Sequence, residues 1–253
     1  MLRIGLLGCG NVGHIIAQHR QGFEIVALFD KIPGRAQELV EISGGKVFSD
    51  FASFIQEDFD LVVEAASVNA VYRYGEDVLS HGKDLVVLSV GALADVEFRD
   101  RLIGAARAHK KKIRIPSGAI LGLDNIKIGQ ISRIDRLSLV STKNPGSLGV
   151  QAGEERRLIF KGKANDCIRQ FPKNINVAIA LGLAAGREAD VEIWADPATD
   201  RNIHEIFVEG EFGDVYIRVR NVPSPDNPAT SYMAALSILT LLRNLEEPLV
   251  VGT

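Results

Sequence analysis

Residues 2–30 leave this chain the least conformational choice. An apolar run, Leu2 to Leu7, passes without a gap into Gly8-Cys9-Gly10-Asn11-Val12-Gly13, and a second apolar run, Phe23 to Phe29, ends on Asp30. A short uninterrupted apolar run suits a strand buried on both faces of a parallel sheet. The three glycines then have separate jobs: Gly8 permits the tight turn out of the strand, Gly10 lets the backbone approach a pyrophosphate, and Gly13 lets the next helix pack on the sheet. That helix opens at Asn11 and Val12, and its first N–H groups aim at phosphate. Asp30 falls about 20 residues beyond the glycines, where a carboxylate accepts the ribose hydroxyls of an adenosine. A glycine turn alone is weak evidence, because many such turns bind nothing. Here the strand before it, the helix after it and the placed acid together point to a dinucleotide. The acid favours NAD, since a 2'-phosphate would face its charge. Arg35 is placed to bind that phosphate, so NADP stays open.

The chain has 253 residues, 46% of them hydrophobic, enough for one large domain or two moderate ones, and the glycine unit uses only the first half. Formal net charge is -3 and the one compact basic run, Lys110-Lys111-Lys112, closes an expected helix where cations suit the dipole. Nucleic acid is therefore not an expected partner. No charged leader precedes the first strand and no apolar run reaches the ~18 residues of a membrane helix, so a cytoplasmic protein with no membrane contact is expected. Cys9 and Cys167 are too few for a disulfide framework and have no metal-ligand spacing; both read as small residues, and no metal site is expected.

Beyond Asp30 the pattern alternates. Pro33 to Ile42 reads as a helix, Lys46 to Phe48 as a strand, Asp58 to Ala66 as a strand ending in small residues, and Val68 to His81 as a helix stopped by Gly82. Ala65 at that strand end leaves room for a cofactor. Asp84 to Ser89, then a helix from Asp95 to Lys111, then Lys112 to Ile115 complete a doubly wound, Rossmann-type parallel sheet. Pro116 to Asp124 breaks the pattern with a glycine-bearing turn, and a short helix follows to Gln130. Strands are then expected at 136–142, 156–161 and 189–195, helices at 163–169 and 175–185, and an antiparallel hairpin at 203–208 and 214–221. This is an α+β unit with an open sheet. Ala229 to Asn244 returns to a long helix expected on the nucleotide domain. The domains are thus 1–122 with 229–253 for the dinucleotide, and 123–228 for substrate binding and dimerisation.

Four of the five histidines fit structural places: His14 and His19 on the first helix, His81 and His109 at helix ends. His204 differs. It lies in a dense polar run, Asp196 to Ile206, at the mouth of the hairpin, and an imidazole near its reference pKa of ~6.5 exchanges protons at neutral pH. A surface histidine fits the same pattern. In 171–178 (FPKNINVA), Asn174 and Asn176 open an apolar helix and either cap it or face a ligand. Lys143, in Ser141-Thr142-Lys143-Asn144-Pro145, sits in an expected turn, bound to a substrate carboxylate or simply solvated.

Taken together, GCGNVG at the start, PSGAI with GLD after the last nucleotide-domain strand, the threonine-lysine-proline turn, FPKNINVA and DPATDRNIHEI resemble the L-aspartate dehydrogenase family along essentially the whole chain. The chain departs at Leu121, where the family turn has a second glycine, and at Asn144, an extra residue before Pro145. The resemblance implies a homodimeric enzyme that oxidises L-aspartate to iminoaspartate with NAD or NADP, the imine then giving oxaloacetate and ammonia or entering quinolinate and NAD biosynthesis. By resemblance His204 is the catalytic acid/base, and Ala119 with an asparagine of 171–178, Asn174 or Asn176, contacts the cofactor. Lys143, Ser117 and Asn176 are the donors available to the two substrate carboxylates. Two other readings remain: a similarly built reductase of another small acid, such as a dihydrodipicolinate reductase or homoserine dehydrogenase relative, and a non-catalytic NAD(H) sensor.

Overall fold

A computed structural model describes residues 1–151, 153–171, 175–224 and 227–252. The chain forms two compact units, Met1–Pro116 with Ala235–Val251, and Ser117–Ala234. The division falls at Pro116 and Ala235, against the expected 122 and 229. The reason is local: the 117–122 turn is hydrogen-bonded to a strand of the second unit, and 229–231 belongs to a strand rather than a helix.

Unit 1 runs β1 (Leu2–Leu7), α1 (Asn11–Gln18), β2 (Phe23–Phe29), α2 (Pro33–Ser43), β3 (Lys46–Val47), α3 (Phe51–Gln56), β4 (Leu61–Glu64), α4 (Val68–Ser80), β5 (Asp84–Val87), α5 (Val96–Ala108) and β6 (Ile113–Arg114). The six strands pair in parallel in the order β3-β2-β1-β4-β5-β6. Ile4, Leu6, Val62, Val63, Val86 and Val87 are fully buried, which is why these strands read as continuous apolar runs. Helix α3 was not expected. Asp50 caps it by accepting from the Ser53 N–H at 2.8 Å, and Phe51 and Phe54 join Phe29 and Tyr74 in an aromatic cluster.

Unit 2 holds α6 (Leu123–Ile126), β7 (Ile134–Lys143), α7 (Pro145–Leu148), β8 (Arg157–Lys163), α8 (Ala164–Gln170), α9 (Asn176–Ala185), β9 (Asp190–Ala195), β10 (Asn202–Gly210), β11 (Gly213–Asn221), β12 (Pro223–Ser224) and β13 (Asn227–Ser231). Its main sheet has the order β11-β10-β7-β9-β8. β7 and β9 are parallel and the other neighbours antiparallel, so the sheet is mixed and open at β11 and β8. Leu137, Leu139, Val191, Ile193, Ile206 and Val208 fill its buried face. α10 (Tyr232–Asn244) starts three residues later than the expected Ala229, because β12 and β13 form a small hairpin that alanine content alone does not disclose. No helix among the described residues is long and apolar enough to cross a membrane.

Candidate active site

In unit 1 the glycines divide their work as their spacing suggests. Gly8 has φ +104°, its N–H donates to the Phe29 carbonyl at 2.8 Å, and a Cβ there would lie 2.7 Å from the Ala65 backbone. At Gly13 a Cβ would lie 2.6 Å from the Gly8 carbonyl oxygen. Gly10 differs: a Cβ there would meet nothing within 4 Å. The chain itself therefore does not require glycine at position 10, whereas a group lying against that backbone does. Asn11 and Val12 are half-buried in the first turn of α1, and Ala65 is half-buried just beyond β4.

Asp30 is buried, and its carboxylate ties the turn together: Oδ2 accepts from the Cys9 N–H at 2.8 Å and Oδ1 from the Ile32 N–H at 2.8 Å. A carboxylate has about four lone-pair positions, so capacity remains for ribose hydroxyls. Arg35 is exposed in the first turn of α2, five positions beyond Asp30. These residues fit a dinucleotide, with phosphates over Gly10 and a ribose at Asp30. Burial, then the neighbouring Asp30, pushes the Cys9 thiol up to about 12, and burial pushes Cys167 up to about 11, so both stay inert thiols.

In unit 2 the surface reading of His204 fails. The side chain is 2% exposed, on the same face of the sheet as Ile206 and Val208. Ser141 pairs with it in register on β7, and the Ser141 hydroxyl lies 2.9 Å from Nδ1. Lys143 is not a solvated turn residue either. It ends β7, is 6% exposed, and alternation puts it on the face that holds Ser141. The strand runs on through Ser141-Thr142-Lys143 because β9 pairs with each of them. Asn144, the extra residue, caps α7 by accepting from the Gly146 N–H at 3.0 Å. Burial lowers the Lys143 ammonium to about 8; burial, then the Lys143 charge, lowers His204 to about 3. Both groups are thus pushed toward their neutral forms.

Ser117 and Ala119 sit in a turn with Gly118 and Gly122 at φ +65° and +80°, and Ser117 is half-buried. The Ala119 carbonyl accepts from Asn221 Nδ2 at 2.8 Å. Asn221 pairs in register with Asn202, two residues before His204, so one hairpin end carries the histidine and anchors this turn. Asn176 is the first residue of α9 rather than its cap. The cap position is Ile175, with no side-chain hydrogen bond, so capping does not account for Asn176. Asn174 lies outside the described residues.

Unit 2 thus gathers His204, Ser141 and Lys143 on one sheet face, while unit 1 gathers the glycine turn and Asp30. Residue reading missed Ser141 as the partner of His204, Asn221 as the anchor of Ala119, and Glu64, a fully buried acid ending β4. The available signal was an acid directly following the apolar run Leu61-Val62-Val63.

Residues 124–245 match the family model described as aspartate dehydrogenase, C-terminal, and residues 4–116 match that of homoserine dehydrogenase, NAD binding domain. The chain is 60% identical to an L-aspartate dehydrogenase of Methanospirillum hungatei, over 100% of both chains. It is 42% identical to that of Methanothermobacter thermautotrophicus, over 100% of this chain and 99% of the relative. A crystal structure of aspartate dehydrogenase from Thermotoga maritima matches with a TM-score of 0.84 at 30% identity, over 100% of each chain. The nucleotide half alone would leave room for many dehydrogenases, but the match extends through the unit that carries His204, and this chain belongs to the aspartate dehydrogenase family.

Proposed function

We propose that this chain oxidises L-aspartate to iminoaspartate with NAD or NADP, using His204 to accept and return a proton. The observation that carries the reading is 60% identity to an L-aspartate dehydrogenase along the full length of both chains. The homoserine dehydrogenase alternative draws only on the match of residues 4–116. Gly8, Gly10, Gly13 and the first turn of α1 hold the phosphates, Asp30 receives the ribose, and Arg35 is available to a 2'-phosphate. Ala119 and the asparagines of 171–178 contact the cofactor.

The ammonium of aspartate must lose a proton before Cα can release a hydride, and the bound dinucleotide supplies the acceptor for that hydride. Burial beside Lys143 holds His204 neutral, as a proton acceptor must be. A dicarboxylate held by Lys143, Ser117 and Asn176 reverses the local field. Its negative charges offset the ammonium and raise the proton affinity of His204 when a proton has to be taken. Ser141 engages Nδ1, which leaves Nε2 to take the ammonium proton or, once that proton has passed to solvent and the imidazole is neutral again, to activate water for imine hydrolysis. The product is oxaloacetate and ammonia, or iminoaspartate passed on toward quinolinate and NAD synthesis.

A spectrophotometric survey of NAD and NADP reduction across amino acids and hydroxy acids tests the reading. L-Aspartate should be oxidised fastest. Dinucleotide binding without oxidation of any acid would instead make the chain a sensor, and preference for another acid would make it a different dehydrogenase. The working assembly is a homodimer joined through the open sheet face, which exposes Tyr216 beside Phe207; an open face of that kind favours a cover. Light scattering should give twice the chain mass, and Tyr216→Glu should lower it.

A further inference from the structure

In an open parallel sheet, ligands lie beyond the carboxyl ends of the strands where the strand order reverses. In unit 1 that point is between β1 and β4. Glu64 ends β4, paired in register with Leu7 just before the glycine turn, and is 0% exposed. Its Oε1 accepts from the Ala66 N–H at 2.8 Å, the Ser67 N–H at 2.9 Å and the Ser89 hydroxyl at 2.8 Å. Its Oε2 accepts from the Leu88 N–H at 3.2 Å and the Ser89 N–H at 2.9 Å. These donors come from two different loops, one after β4 and one after β5.

We propose that Glu64 is a positioning residue for the dinucleotide site, its carboxylate tying the loop after β4 to the loop after β5 and fixing both beside the glycine turn. The inference rests on the reading that unit 1 binds a dinucleotide. Five donors exceed the roughly four lone-pair positions of a carboxylate, so no capacity is left for a ligand and the charge serves the loops. Burial pushes the Glu64 carboxyl up by more than the hydrogen bonds from Ser89, Ala66 and Ser67 pull it down. Burying a carboxylate is costly, and an apolar residue would complete the strand at less expense. What the acid adds is a common acceptor for two loops. Displacement of residues 65–67 is felt at the phosphate turn directly, since the Ala65 N–H donates to the Leu7 carbonyl at 2.9 Å and a Cβ at Gly8 would lie 2.7 Å from Ala66 Cβ.

Glu64→Gln keeps the volume but points an NH2 at donors of one loop. NADH binding by fluorescence titration, or NADPH if the wild type prefers it, should weaken about tenfold, while kcat at saturating dinucleotide and the KM for the amino acid stay within about twofold. Leu102→Ala, a buried α5 variant, controls for stability: it should lower Tm without moving dinucleotide affinity. Unchanged affinity in Glu64→Gln, with the wild type binding normally, overturns the proposal. A wild type that binds neither dinucleotide overturns the reading beneath it. Should Glu64→Gln fail to fold, Ser89→Ala, which removes one hydroxyl from the carboxylate, should weaken binding about threefold, and unchanged affinity there is equally fatal.

Discussion

The glycine turn of unit 1 and the His204 face of unit 2 bury polar groups in opposite ways. Asp30 and Glu64 stand at strand ends, and backbone N–H groups converge on their oxygens. His204 stands within β10 and Lys143 ends β7, on a sheet face otherwise lined by Ile206, Val208 and Leu139, and burial drives both toward neutrality. An acid on which backbone donors from separate loops converge shapes backbone, even where burial pushes its carboxyl up as at Glu64. On the sheet face no acid is present among these groups, and burial moves two bases toward their neutral forms. Acids that gather backbone donors in one half, and bases set on a buried sheet face in the other, is what this contrast teaches.

The contrast stands or falls first on His204. His204→Asn should lower kcat about 10²-fold or more while dinucleotide affinity stays within about twofold, measured by initial rates and by NADH titration. Equal losses in turnover and dinucleotide affinity would mean that the histidine only supports the fold.

Lys143 comes next. Lys143→Met should reduce kcat/KM for aspartate by about tenfold or more, mainly through KM, because a buried charge-assisted contact to a carboxylate is lost. The pH dependence has a definite sign. With its ionisation lowered from 10.5 to about 8, the ammonium is present below that value and lost as pH rises through it. Wild-type kcat/KM should therefore fall above about pH 8, and Lys143→Arg should move that fall upward, since a guanidinium stays charged. Stability runs the other way. Between about pH 8 and 10.5 the unfolded chain binds the extra proton, so this group's contribution rises with pH by at most about 1.4 kcal/mol per unit, a slope that Lys143→Met should remove.

Unit 1 was far more readable from sequence than unit 2, for a physical reason. Parallel strands buried on both faces leave unbroken apolar runs, and glycine spacing encodes backbone approach directly, so β1, α1, β2 and the place of Asp30 follow from composition and order. Mixed sheets encode less. In β10, Ile203 and Phe207 make one face apolar while Ile206 and Val208 do the same for the other, so alternation does not say whether His204 points into the core. Only pairing with β7 decides, and β7 itself runs one residue past the expected end at Thr142, taking in Lys143, which reads as a turn residue. The capping signal of Asp50 was present for α3, but six residues give too short a period to register. Glu64 shows the converse case: the strand was clear, though it is Leu61–Glu64 rather than the expected Asp58 to Ala66, and the meaning of its one acid lay in loops distant in sequence.

A smaller effect is expected at Asp30, where specificity and structure overlap. Asp30→Ser removes the charge that disfavours a 2'-phosphate and should raise the NADP to NAD ratio of kcat/KM about tenfold. It also removes the acceptor for the Cys9 and Ile32 N–H groups, so the absolute values for both cofactors should drop. Asp30→Asn keeps one acceptor oxygen and should shift the ratio with less general loss. A ratio that does not move in either variant would leave Asp30 as a turn residue only.

The smallest effect tests whether unit 2 also uses side chains to shape backbone, as unit 1 does. Asn221 Nδ2 donates to the Ala119 carbonyl from a strand end paired with Asn202, so Asn221→Ala leaves that buried carbonyl without its donor, at a cost of about 1–3 kcal/mol of stability. Asn221→Asp is worse, because it sets a carboxylate oxygen against the carbonyl oxygen. If the 117–122 turn contributes to cofactor binding through Ala119, dinucleotide affinity should fall a few-fold in Asn221→Ala and further in Asn221→Asp, with KM for aspartate moving less. Thermal melts paired with NADH titration separate the two roles: a lower Tm with unchanged affinity would mean that Asn221 merely closes the hairpin, and that strand-end side chains organise the cofactor site in unit 1 alone.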